Sequence, residues 1–139
     1  MIKVLTSGVY DILNLGHLNI LTSARKLGDH LICCVQDDDS VKKTKGSSPI
    51  LNINERVEQL DALGIIDEIH VYSNVDQRKL WAKLKPNIIV QGDDYLYSSN
   101  RIESIKFIIE NNIRLILLPR TNNISSTIIK KRIINNDKV

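Results

Sequence analysis

Aromatic residues are scarce in this chain: among 139 residues there are 4 Tyr, 1 Phe and 1 Trp. Few platforms are available for stacking nucleobases. The net charge of +3 also comes without a dense Lys/Arg stripe, so no nucleic-acid partner is expected. Cysteine is scarcer still. Cys33 and Cys34 are neighbours in an apolar run, and neighbours on a strand point to opposite faces. That excludes a bond between them, and it excludes a zinc site, which needs more ligands at set spacings. Both read as core residues. No apolar run approaches the roughly 18 residues of a membrane span, so no membrane partner is expected. The opening Met-Ile-Lys-Val-Leu-Thr reads as a strand. It lacks the apolar stretch and small-residue cleavage site of a signal peptide, which makes a cytoplasmic location the expectation. With 3 Pro and 6 Gly, no Pro/Gly/Ser-rich linker divides the chain. Residues 1–139 are expected to form a single domain.

What is present is an alternation of strand and helix signals. Short apolar runs at residues 3–6, 31–35 and 88–90 read as strands buried on both faces, and Glu68–Tyr72 and Arg114–Leu118 as two more. Between them, residues 16–27 carry a helical stripe of Leu18, Ile20, Leu21, Ala24 and Leu27. Asn52 with Glu55 resembles a capping box, opening a helix through Val57, Leu60 and Leu63. Residues 76–84, 100–111 and 125–134 complete the helices. The expected fold is α/β: a Rossmann-like, doubly wound, parallel five-stranded sheet with helices on both faces. Ligands bind such sheets beyond the carboxyl ends of the strands, where strand order reverses. That rule singles out four segments: residues 7–17, 37–48, 91–97 and 119–127.

In the first, Gly8 turns the chain, Gly16 lets a phosphate approach the backbone, and His17 stands at the opening of a helix. Free amides and the helix dipole favour anions there, and a histidine can donate to a phosphate gaining charge in a transition state. The second holds Lys42, Lys43 and Lys45, point charges within reach of phosphates. It lacks the upstream glycine of a P-loop. Arg56 on the following helix could bind phosphate in a bidentate way. The third, Gln-Gly-Asp-Asp-Tyr from Gln91, offers Asp93 and Asp94 to Mg²⁺ or a ribose hydroxyl. The fourth, Arg-Thr-Asn-Asn-Ile-Ser-Ser-Thr from Arg120, places a guanidinium and hydroxyls at another helix start, with Ser125 as N-cap.

Together these segments resemble the cytidylyltransferase-like nucleotidyltransferases, whose hallmark is His-x-Gly-His after the first strand. The resemblance runs from about Val4 to Ile133. Two branches compete. Gly92-Asp93-Asp94 and the segment from Arg120 are similar to the glycerol-3-phosphate and ethanolamine-phosphate cytidylyltransferases, which carry Gly-Asp-Asp and Arg-Thr-x-Gly-Ile-Ser-Thr-Thr. Ala24-Arg25-Lys26-Leu27-Gly28-Asp29, Asp39-Ser40-Val41-Lys42, Lys45-Gly46 and the stretch from Pro49 to Arg56 look more like the heptose-1-phosphate adenylyltransferases.

The resemblance implies roles by position. His17, Asn14, Lys45 and Arg120 match catalytic positions. Ser7, Gly8, Val9, Tyr10, Asn14, Gly16, His17, Lys45, Asp94, Arg120, Thr121, Ile124, Ser125 and Ser126 match nucleotide-binding ones. Asp11, Lys42 and Arg56 match acceptor-binding positions. The implied cofactor is Mg²⁺ carried on the phosphates, with Asp11 or Asp93 as its protein contact, and the implied assembly is a homodimer. Asn14 replaces the first histidine of the motif. An amide can donate a hydrogen bond but cannot carry a positive charge. Asn123 replaces the glycine of the last motif, and Asn is a good substitute at positive φ. The expected function is transfer of CMP from CTP to a small polyol or sugar phosphate, with release of pyrophosphate. The alternatives are an ATP-dependent adenylyltransferase for a heptose-1-phosphate-like acceptor, and a nucleotide-binding module that Asn14 has left without catalysis.

Overall fold

The computed structural model describes residues 1–97 and 101–136. Asn100, expected to begin a helix, lies outside the described residues. The elements run β1 (Lys3–Gly8), α1 (Leu15–Arg25), β2 (His30–Gln36), α2 (Asp38–Lys45), α3 (Ile53–Ala62), β3 (Glu68–Tyr72), α4 (Arg78–Leu84), β4 (Ile88–Gly92), a 3₁₀ turn (Tyr95–Tyr97), α5 (Ile102–Glu110), β5 (Arg114–Leu118) and α6 (Ser126–Asn136). All strand pairings are parallel, in the order β3-β2-β1-β4-β5. The expected doubly wound sheet is therefore present. Its order reverses between β1 and β4, and that places the ligand crevice at their carboxyl ends.

Alternation along the central strands divides the core in two. Leu5, Ile32, Cys34 and Ile89 face Trp81, Leu84 and Ile108 of α4 and α5. Val4, Leu31, Ile88 and Val90 pack with Ala24 of α1, and Cys33 and Val35 with Leu21 and Leu60. The two cysteines thus enter opposite layers, as the strand period requires. Burial pushes both thiols up to about 12, where they are protonated and inert.

One helix was invisible in the sequence. The lysine segment, not among the expected helices, forms α2. Asp37 caps it, its carboxylate accepting from the Ser40 amide at 2.8 Å, and Gly46 closes it at φ 84°, a conformation costly for any residue with a Cβ. Asp38 and Asp39 sit in the first turn and Lys42, Lys43 and Lys45 in the last, matching the helix dipole at both ends. Only Ser40 and Val41 are buried, so there is no apolar stripe for periodicity to detect.

Candidate functional site at the strand switch point

Between β1 and α1 the backbone takes an uncommon path. Tyr10 and Ile12 adopt φ of 56° and 52°, a region that costs a β-branched residue most. Two contacts hold that path. Tyr10 is buried among Leu21, Cys33, Val35 and Leu60. The Asp11 carboxylate accepts the amides of Ile50 at 2.8 Å and Leu51 at 2.9 Å and meets the Lys130 ammonium at 3.3 Å. Those donors hold Asp11 below the usual carboxylate range despite its burial, which alone would raise it.

Asn14 ends the loop as the N-cap of α1. Its Oδ1 accepts the Gly16 amide at 2.9 Å, and its Nδ2 donates to the Ile12 carbonyl at 3.0 Å. A Cβ at Gly16 would stand 3.0 Å from Asn14 Oδ1, so glycine there serves the cap. His17 closes the capping box: its Nδ1 accepts the Asn14 amide at 3.3 Å. An accepting Nδ1 carries no proton, so the neutral ring bears its N–H at Nε2. The ring tilts against Tyr10 with centroids 5.5 Å apart. Burial, seconded by the Lys45 ammonium and opposed by Asp11, holds His17 below its ordinary value of 6.5.

The ring lines a cavity of about 430 Å³ at the switch point, with Ser7, Gly8, Lys45, Ser126 and Lys130 among its walls. The cavity wall carries donors from two elements, α2 and α6. Lys45 forms no ion pair among the described residues. The N-terminus of α6 also reaches the cavity through Ser126 and Thr127, held by a hydrogen bond from Ser126 Oγ to the Asp11 carbonyl. A helix N-terminus and an unpaired ammonium facing one cavity suit an oligophosphate.

Of the residues expected at this site, Ser7, Gly8, Val9, Tyr10, Asp11, His17, Lys45 and Ser126 line the cavity. Others do not. Arg56 is fully buried. Its guanidinium donates to the carbonyls of Val9 and Gln36 at 2.7 Å each and to Asp38 at 2.6 Å, with Nε to the Leu51 carbonyl at 3.1 Å. It ties loops together and has no face for an acceptor. Arg120 is exposed and ion-paired to Asp94, beside Asp93 and Tyr97 and outside the cavity. Lys42 lies exposed on α2 and does not reach the cavity. Thr121 Oγ1 accepts from Asn19 at 2.8 Å, and Ile124 packs 3.8 Å from where a Gly16 Cβ would lie. Ser125 Oγ accepts the Ile128 amide at 3.1 Å, the expected cap. Asn123 takes the anticipated positive φ, 60°. Asn14 is engaged at both ends of its amide and offers no free donor.

Mg²⁺ was expected near Asp11 or Asp93. The Asp11 carboxylate already faces two amides and an ammonium, and this does not fit a further cation. Among the described residues no group of three or more His, Cys, Asp or Glu is arranged to hold one. Lys130, Thr127, Gln91, Gln77, Tyr95 and Arg101 were given no site role from the sequence, yet all line the cavity or its neighbour. Gln91, Tyr95 and Thr127 fall inside segments that the strand-end rule singles out, and Lys130 is a cation just inside the last helix; Gln77 and Arg101 left no signal. Among the described residues no helix is long and apolar enough to cross a membrane.

Residues 5–132 match the family model described as cytidylyltransferase-like. The chain is 35% identical to the bifunctional protein HldE of Desulfatibacillum aliphaticivorans over 133 residues, 95% of this chain and 27% of that protein. It is 42% identical to HldE of Proteus mirabilis over 93 residues, 66% of this chain and 20% of that one. It thus spans about a quarter of the length of the curated relatives it matches. Among solved structures it resembles the lipopolysaccharide core biosynthesis protein of Thermoplasma volcanium, with TM-score 0.70 and 31% identity over 87% of this chain and 97% of that one. Thermotoga maritima TmcAL bound with alpha-thio ATP shares the fold, with TM-score 0.68 and 18% identity over 99% of this chain and 51% of that one.

Proposed function

The chain belongs to the cytidylyltransferase-like family of nucleotidyltransferases, and from that premise we propose that it moves AMP from ATP to a heptose-1-phosphate-like sugar phosphate. The observation that carries the choice of nucleotide is the identity to HldE proteins across 95% of the chain, in line with the heptose-1-phosphate adenylyltransferase features around Lys45 and Arg56. This displaces CTP, the first expectation. CTP rested on the segment from Arg120, and of that segment only Ser126 and Thr127 reach the cavity.

In the proposed reaction an acceptor phosphate oxygen attacks the α-phosphorus of ATP, the α–β phosphoanhydride bond breaks, and pyrophosphate leaves with the bonding electrons. The protein supplies position and charge. His17, neutral at pH 7, donates Nε2–H to a non-bridging α-phosphate oxygen as charge builds there. Lys45 and the N-terminus of α6 hold the phosphates. A Mg²⁺ ion brought on the triphosphate would supply charge neutralisation, without a carboxylate cluster of this chain to hold it among the described residues. Asn14 works as a cap, a role that an amide fills without a positive charge, so its presence does not favour the non-catalytic module.

The deciding experiment offers ATP, CTP, GTP and UTP with a panel of sugar 1-phosphates and glycerol 3-phosphate, reading pyrophosphate release. ATP with a sugar 1-phosphate is expected to lead. CTP outpacing ATP would overturn the nucleotide choice.

A further inference from the structure

A second chamber of about 300 Å³ adjoins the first, sharing Ser7, Gly8, Val9, Lys45 and Gln91 as a common wall. Its far side is built from Gln77, Tyr95 and Arg101. Two of these residues share an unusual property. Tyr95 is only 5% exposed, yet its hydroxyl has no hydrogen-bond partner among the described residues, and neither has the buried Nε of Arg101. Gln77, 7% exposed, uses Oε1 to accept from Ser7 Oγ at 2.7 Å and leaves its Nε2 donors without an acceptor among the described residues. The Arg101 guanidinium stacks 4.4 Å from the Tyr95 ring centroid, which fixes the two side chains relative to each other.

A buried polar atom left unpaired costs roughly 1–3 kcal/mol. A fold that leaves two such atoms, Tyr95 OH and Arg101 Nε, on residues lining one chamber calls for an occupant that pairs them. Each can donate, the Tyr95 hydroxyl, the Arg101 Nε–H and the Gln77 amide alike, and Lys45 adds an ammonium. The one carboxylate on this wall among the described residues, Asp94, is already paired with Arg120. The chamber is therefore complementary to an oxygen-rich anion.

Resting on the nucleotidyltransferase reading, we propose that this chamber is the acceptor subsite: Arg101 and Tyr95 grip a phosphorylated polyhydroxy compound, Gln77 reads a hydroxyl, and the shared wall at Lys45 brings the acceptor phosphate against the nucleotide. Specificity for the acceptor then lies with Gln77, Tyr95 and Arg101, while His17 and α6 belong to the nucleotide.

The test is a binding measurement, independent of turnover. Protein saturated with a non-hydrolysable ATP analogue is titrated with glucose 1-phosphate, and separately with inorganic phosphate, while the Arg101 Nε–H resonance is followed by NMR. Both probes are expected to displace that resonance saturably. Tyr95→Phe and Arg101→Met should each weaken glucose 1-phosphate about tenfold, the loss of one good hydrogen bond. The affinity for the ATP analogue should stay within about twofold, well under one such bond. Tyr95→Phe should not lower the melting temperature, because its hydroxyl has no protein partner to lose. No displacement by either probe at millimolar concentration overturns the proposal. So does an Arg101→Met protein that binds as the wild type does, or variants that lose analogue and probe equally. A wild type that binds glucose 1-phosphate here yet releases no pyrophosphate with any triphosphate refutes the enzymatic reading instead.

Discussion

Asn14 and His17 cap one another across the first turn of α1. The Asn14 amide donates to His17 Nδ1 at 3.3 Å, and Asn14 Oδ1 accepts the Gly16 amide at 2.9 Å. This reciprocal bond does more than start a helix. It fixes which imidazole nitrogen carries the proton, and so which one can meet a ligand in the cavity. Protonating the ring would turn Nδ1 into a donor and break the cap. The cap and the burial of the ring therefore both favour the neutral form.

His17→Ala should slow turnover by about 10²-fold or more, the usual cost of losing one transition-state donor. Steady-state kinetics on the folded variant decide this. Full activity in that variant would remove His17 from the reaction.

The pH dependence follows from the same residue. His17 titrates below its ordinary value of 6.5 in the folded chain, so the unfolded chain binds the proton more readily. Its contribution to stability is fully present above pH 6.5 and is lost as pH falls through the lower, folded value. Activity should be level through neutrality and fall only on the acid side. Lys45→Met should move the acid limb to higher pH, because the Lys45 ammonium lowers the His17 value. Paired pH–rate profiles and a histidine NMR titration read both effects. An acid limb that stays in place in Lys45→Met would rule out this coupling.

Asn14→Ala should cost about 1 kcal/mol of stability through loss of the cap, and Asn14→Ser, which restores an acceptor, should cost less. Urea unfolding measures both. If Asn14→Ala left stability intact and abolished turnover, Asn14 would be a reacting group rather than a cap.

Arg56→Met strands the carbonyls of Val9, Gln36 and Leu51 in a buried place. Destabilisation of about 3 kcal/mol or more is expected, since each buried unpaired acceptor costs roughly 1–3. Because Arg56 faces no cavity, a conventional acceptor-binding role predicts a different result: unchanged stability with a raised KM for the sugar phosphate. Denaturation and kinetics on one preparation separate the two.

The order of the strands and of every helix but α2, the opposed faces of Cys33 and Cys34, the cap at Ser125, the left-handed Asn123 and the strand-end rim where the cavity lies were all legible in the sequence. Each depends on local spacing, and the side-chain periods of strand and helix are fixed by backbone geometry. Other features depend on which elements meet. Arg56 has the sequence context of a surface cation, yet the loops after β1 and β2 close over it. Asp11 has the composition of a ligand, yet its oxygens are taken by amides about 40 residues away in the chain. Ser126 reaches the Asp11 carbonyl across 115 residues, and Gln77, Tyr95 and Arg101 reach one chamber from three separate segments. The hydrogen-bond partner of a polar side chain is chosen by long-range packing, which no local pattern encodes. That is why the sequence determined where the site would lie, and only the tertiary structure decided which of its side chains are free to act there.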